Sequence, residues 1–108
     1  MNYEDSLNIG FVFIDEDDLE REFVKLVEIK TGLKHVKTLK DVFNDNTTYD
    51  FYFRPVDDSV LEISRYYLKE KLSDCLCGFH YNCENKCFDI KIKMQPVILY
   101  KNIANLLN

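Results

Sequence analysis

Glycine and proline are scarce, three and two among 108 residues, which excludes long flexible linkers. No run of 18 apolar residues occurs, which excludes a membrane-spanning helix. Positive charge is outweighed. Fourteen Lys and Arg stand against nineteen Asp and Glu, for a net charge of −5. That balance disfavours a nucleic-acid backbone or an anionic lipid surface as partner, and it favours a basic protein. Residues 1–8 are polar and acidic, without the basic and apolar regions of a secretion signal. A cytoplasmic protein with reduced cysteines is therefore expected. Internal repeats and low-complexity tracts are missing too.

What is present suits a folded core. The apolar fraction is 46%, with eight Phe and seven Tyr, well above a disordered composition. A single domain spanning 1–108 is expected, large enough to hold together without disulfides or metals.

Residues 9–14 (Ile-Gly-Phe-Val-Phe-Ile) are apolar on both faces, as a doubly covered central strand would be. The acidic run Asp15, Glu16, Asp17, Asp18 follows. Asp17 can cap a helix, with Glu20 completing a capping box. Leu19, Phe23, Leu26 and Val27 recur at helical spacing, and Gly32 supplies a stop. The helix is read over 17–31. His35 to Leu39 is a weak strand suited to a sheet edge. Residues 40–48, with Asn44-Asp45-Asn46, read as a turn. Residues 47–54 form a strong strand. Tyr49, Phe51 and Phe53 share one face, Asp50, Tyr52 and Arg54 the other, and Pro55 ends it.

Asp57, Asp58 or Ser59 can cap a second helix running to about Leu72. Val60, Leu61, Ile63, Tyr67 and Leu68 occupy its apolar arc, with Ser64 in the middle and Tyr66 at the border. A final helix follows Gln95-Pro96. Because Val97 and Ile98 do not fit its arc, it is expected to start later than Pro96.

Between these helices, residues 74–94 read as a β-hairpin holding all four cysteines. Alternation pairs Tyr81 with Phe88, Phe79 with Ile90, Cys77 with Ile92 and Cys75 with Met94. Asn82 opposite Cys87 closes a four-residue loop, 83–86. The opposite face then holds Leu76, Gly78, His80, Asp89, Lys91 and Lys93, with His80 across from Asp89 as a surface pair.

The order is β-α-β-β-α-β-β-α. This predicts an α+β protein of the ferredoxin-like split β-α-β-β-α-β kind, with an added C-terminal strand and C-terminal helix. The first and third strands would be central. Both helices of the unit would cover one face. The other face would be covered by the final helix, a second copy or a partner, which makes a homodimer through the open sheet face conceivable.

Candidate chemistry is thin. Cys75, Cys77, His80, Cys83 and Cys87 are candidate soft-metal ligands, but the hairpin register puts Cys75 and Cys77 on one face, Cys87 on the other and Cys83 at the tip. Cys77 and Cys83 would be roughly 20 Å apart. Zinc needs four converging N or S donors, so buried small hydrophobes are expected for Cys75 and Cys77. Asp15, Asp17 and Asp18 could hold Mg²⁺ or Ca²⁺, yet helix capping explains them alone. Phe11, Phe13, Tyr49, Phe51 and Phe53 sit where RNA recognition motifs place stacking rings. The basic and glycine positions of that motif are absent, and the net charge opposes it.

No catalytic constellation and no cofactor are implied. The reading is a small acidic protein that binds another protein with a basic surface, as inhibitors of the immunity or antitoxin kind do. A phage-type inhibitor of a nucleic-acid-binding enzyme would look alike. Its expected partner-binding residues are Asp15, Glu16, Asp17, Asp18, Tyr52, Asp57, Asp58 and Tyr66. The alternatives are a metal-dependent enzyme or metal-binding module, through the acids or the cysteines, and a homo-oligomeric regulatory domain that binds a small ligand.

Overall fold

The computed structural model describes residues 15–108. The expected strand at 9–14 lies outside them. The first helix, α1, spans Glu16–Thr31. Its cap is Asp15 rather than Asp17: an Asp15 carboxylate oxygen accepts the Asp18 N–H at 2.8 Å. An acidic run offers several caps at equal spacing, and the sequence alone does not choose among them. Gly32 takes the left-handed conformation, φ 79°, and its N–H closes the helix on the Glu28 carbonyl.

Strand β1 spans Lys34–Phe43 and β2 spans Asn46–Arg54. The expected turn over 40–48 thus shrinks to two residues. Asn44 and Asp45 both take positive φ, 49° and 64°, as a tight hairpin turn requires. The Asn-Asp-Asn cluster spreads its turn signal over more residues than the turn uses. A register shift between His35 and Lys37 interrupts the alternation of β1.

Asp57 caps a short 3₁₀ turn, Asp58–Val60, which leads into α2, Leu61–Lys71. Ser64 and Leu68 are buried on α2, as expected, whereas Ile63 is exposed. Strands β3, Leu76–Asn82, and β4, Cys87–Met94, then form the hairpin in the expected register: Tyr81 faces Phe88, Phe79 faces Ile90, Cys77 faces Ile92 and His80 faces Asp89. A 3₁₀ turn over Pro96–Ile98 precedes α3, Leu99–Leu107, so the last helix does start beyond Pro96.

The described residues thus form an α+β architecture with one four-stranded antiparallel sheet, ordered β1-β2-β4-β3. The ferredoxin-like expectation placed 9–14 beside 47–54. Instead, β2 bonds to β1 on one edge and to β4 on the other, so the hairpin's second strand takes the central place. Among the described residues β1 and β3 are outermost, where the second and fourth strands were expected.

Phe23, Leu26 and Val27 of α1, Leu68 of α2 and Leu99, Ile103 and Leu106 of α3 join Tyr49, Phe51, Phe53, Ile90, Ile92 and Met94 in one core. All three helices therefore cover the same face of the sheet. The final helix packs on α1 and does not cover the other face.

Candidate functional site

Two staggered hairpins set the geometry. The β2–β4 ladder runs only from Tyr49↔Met94 to Phe53↔Ile90. Beyond its upper end, the β3–β4 ladder continues through His80↔Asp89, Tyr81↔Phe88 and Asn82↔Cys87. Beyond its lower end, the β1–β2 ladder continues through Asp41↔Thr48, Val42↔Thr47 and Phe43↔Asn46. Each hairpin overhangs the sheet centre at an opposite end.

The β3–β4 overhang exposes rings on the helix-side face. Phe79, Tyr81 and Phe88 are 42%, 47% and 46% exposed. They are nonetheless fixed in place. Tyr81 meets Phe88 edge-on at 5.1 Å between centroids, Phe88 meets Phe79 at 6.4 Å, and the Arg65 guanidinium lies 4.5 Å over Phe79. The cause is length. The eleven residues of α2 cover about 16 Å, whereas the eight of β4 extend about 27 Å. The helix layer runs out before the sheet does. These rings were expected among inward-facing residues. Comparing the two lengths is the sequence signal that would have found them exposed.

The same end carries the loop from β2 into α2. Because β2 ends at Arg54 on this side, the exposed Val56, Asp57 and Asp58 lie at the same end of the sheet as the aromatic overhang. The acids expected to act together are thereby split. Asp57 and Asp58 sit at the aromatic end. Asp15, Glu16, Asp17 and Asp18 sit at the opposite end, where α1 begins beside Tyr49. Those acids also have local work. Asp15 caps α1, Asp18 pairs with Arg21, and Glu16 accepts a 2.5 Å hydrogen bond from the Tyr49 hydroxyl. Burial, and then Glu16, hold the Tyr49 phenol well above its ordinary pKa. Tyr66 is exposed on α2, at a helical position facing away from the sheet.

Tyr52 is not an exposed ring. It is only 5% exposed on the sheet face opposite the helices. Lys37 and Lys91 lie 4.9 and 5.8 Å over it, and His80 meets it edge-on at 5.1 Å. Beside it, Arg54 donates two hydrogen bonds to Asp89, at 2.7 and 3.0 Å. The expected His80–Asp89 surface pair is therefore replaced: Asp89 is 0% exposed and is held by Arg54. The pairing of β2 with β4 brings Arg54 there. Among the described residues, the large exposed apolar side chains of this face, Leu39, Phe43 and Leu76, sit on the two outer strands.

The cysteines divide as their alternation predicts. Cys75 and Cys77 pack against the core with their sulfurs 4.0 Å apart. Cys83 is exposed at the tip, and Cys87 shares the ladder face of His80 and Asp89. The shared thiol hydrogen bond holds Cys75 below its ordinary pKa. The same bond, with burial, pushes Cys77 up. A groove of about 530 Å³ between α1 and β1 is lined by Asp17, Glu20, Glu28 and His35. Burial lowers the His35 pKa, and burial followed by Asp17 and Glu16 raises that of Glu20.

These features define the class: an α+β protein whose described residues form a four-stranded antiparallel sheet with three helices on one face and a projecting aromatic hairpin. No family model, curated protein or solved structure matches the chain.

Proposed function

We propose that this chain acts by binding another protein, as an inhibitor of the immunity or antitoxin kind. The observation that carries this is the Phe79–Tyr81–Phe88 overhang. Three rings are about half exposed yet locked against one another and against Arg65. Rigid aromatic anchors lose little freedom on binding and dominate protein interfaces. Asp57 and Asp58 at the same end add negative charge that would steer a basic partner. The contact surface is thus the upper end of the sheet rather than the acidic start of α1. Free cysteines suit work in a reducing cytoplasm.

The test is comparative capture from the source cells with the partner proteins quantified by mass spectrometry. A Tyr81→Ser/Phe88→Ser variant and an Asp57→Asn/Asp58→Asn variant are each compared with the unaltered chain. Proteins depleted on both variants, with melting temperature unchanged, support the reading. Capture indifferent to both sets contradicts it.

A further inference from the structure

The chain carries a net charge of −5, yet the sheet face opposite the helices has the reverse balance. The ladder registers put Lys34, Lys37, Arg54, Lys91 and Lys93 on it, against Asp41, Asp50 and Asp89. Two of those acids are covered. Asp89 is fully buried and held by Arg54, and Asp50 is 8% exposed. Lys91 stands 3.9 Å from Asp50, too far for a hydrogen bond. Lys34, Lys37 and Lys93 are exposed and have no ion pair among the described residues. The face thus meets solvent as a cationic surface on an acidic chain.

Gly78 lies among these cations, opposite Lys91 in the β3–β4 ladder. Glycine inside a strand weakens it, and it marks a bulge, a bend or a close approach by another group. The ladder runs one-to-one through Gly78, so there is no bulge. Its φ is not in the left-handed region, and a Cβ built there would meet nothing within 4 Å. Neither backbone nor packing among the described residues calls for glycine. What its missing side chain leaves is a recess of about 180 Å³, lined also by Leu76, Lys91 and Lys93.

The spacing points to the occupant. Lys91 and Lys93 are two residues apart on β4, about 7 Å, the repeat at which an extended chain turns side chains to one side. A glutamate entering over Gly78 lays its methylenes on the exposed Leu76 and its carboxylate near both ammonium groups. A nucleic acid strand fits less well, because it needs rings to stack on and Tyr52, which lies between Lys37 and Lys91, is only 5% exposed. A second copy paired through this face about a two-fold axis would set the lysines against their own cationic surface.

We propose that the sheet face around Gly78, Lys91 and Lys93 docks an extended acidic segment of a protein, independently of the aromatic end. Charge complementarity draws the segment in, and the glycine recess seats one of its acidic side chains.

The test is fluorescence anisotropy of the full chain with a labelled octapeptide alternating Glu and Thr. Binding is expected, weakening as salt rises, with none for the counterpart that carries Gln in place of Glu. Gly78→Thr should lower affinity on the order of tenfold by filling the recess, and should raise the melting temperature, because a β-branched residue suits a strand better than glycine. A glycine with only a structural role would not give that combination. Lys93→Gln should also weaken binding, and Tyr81→Ser/Phe88→Ser should keep it. If Gly78→Thr does not fold, Lys93→Gln and Lys37→Gln decide. No binding of the acidic peptide, affinity unchanged in the folded face variants, or an oligothymidylate of equal charge bound as tightly would overturn the assignment. So would a dimer in light scattering that Gly78→Thr dissociates.

Discussion

Arg54 and Asp89 form an ion pair on the sheet face opposite the helices. Asp89 is fully buried, and Arg54 satisfies both carboxylate oxygens. Removing the cation strands a buried charge. Arg54→Met is expected to cost about 2–3 kcal/mol, toward the low side because Arg54 stays 28% exposed and water reaches the pair. Replacing both residues, as Arg54→Met/Asp89→Leu, should recover most of that loss. Urea unfolding of the three proteins checks it. His35 is the second residue with a readable consequence. Burial lowers its pKa below 6.5, so the fold prefers neutral imidazole while the unfolded chain protonates first. The stability it contributes is complete above 6.5 and is lost as pH falls through the folded value. Urea midpoints measured between about pH 7 and pH 5 should fall for the unaltered chain and stay flatter for His35→Gln. Neither residue's role was legible in the sequence. The His80–Asp89 pairing followed from alternation alone, but Arg54 reaches Asp89 only because β2 and β4 are neighbours.

At the scale of elements, what was legible was local. The hairpin register from Tyr81↔Phe88 to Cys77↔Ile92 follows from period-two alternation, and a slip of one residue would have turned the buried Ile90 and Ile92 outward. Helix α1 followed from its apolar spacing and Gly32. The turn after β1 did not, because Asn44, Asp45 and Asn46 all carry turn chemistry while only the first two make the turn. Asp45 sits at φ 64°, where glycine is free of the side-chain penalty. Asp45→Gly should therefore raise the urea midpoint, worth about 0.5 kcal/mol, and Asp45→Val should lower it. Equal stability of the two variants would contradict the assigned turn.

At the scale of the whole molecule, strand order was out of reach of periodicity. Apolar pattern assigned the central positions to 9–14 and 47–54, and nothing in either segment names its neighbour. Among the described residues 47–54 pairs instead with 87–94, and the three described helices lie on one face. The acids expected to meet a partner then fall at two opposite ends, and the hairpin reaches past its helices. The tip end of the 74–94 hairpin carries the aromatic surface, and the acids Asp57 and Asp58 lie at the same end of the sheet. The account of function rests on that end of the molecule, and a photocrosslinking residue tests it directly. Placed at Tyr81, it should capture a discrete protein in the source cells; placed at Asp17, at the opposite end, it should not. Capture from Asp17 with none from Tyr81 would contradict the account.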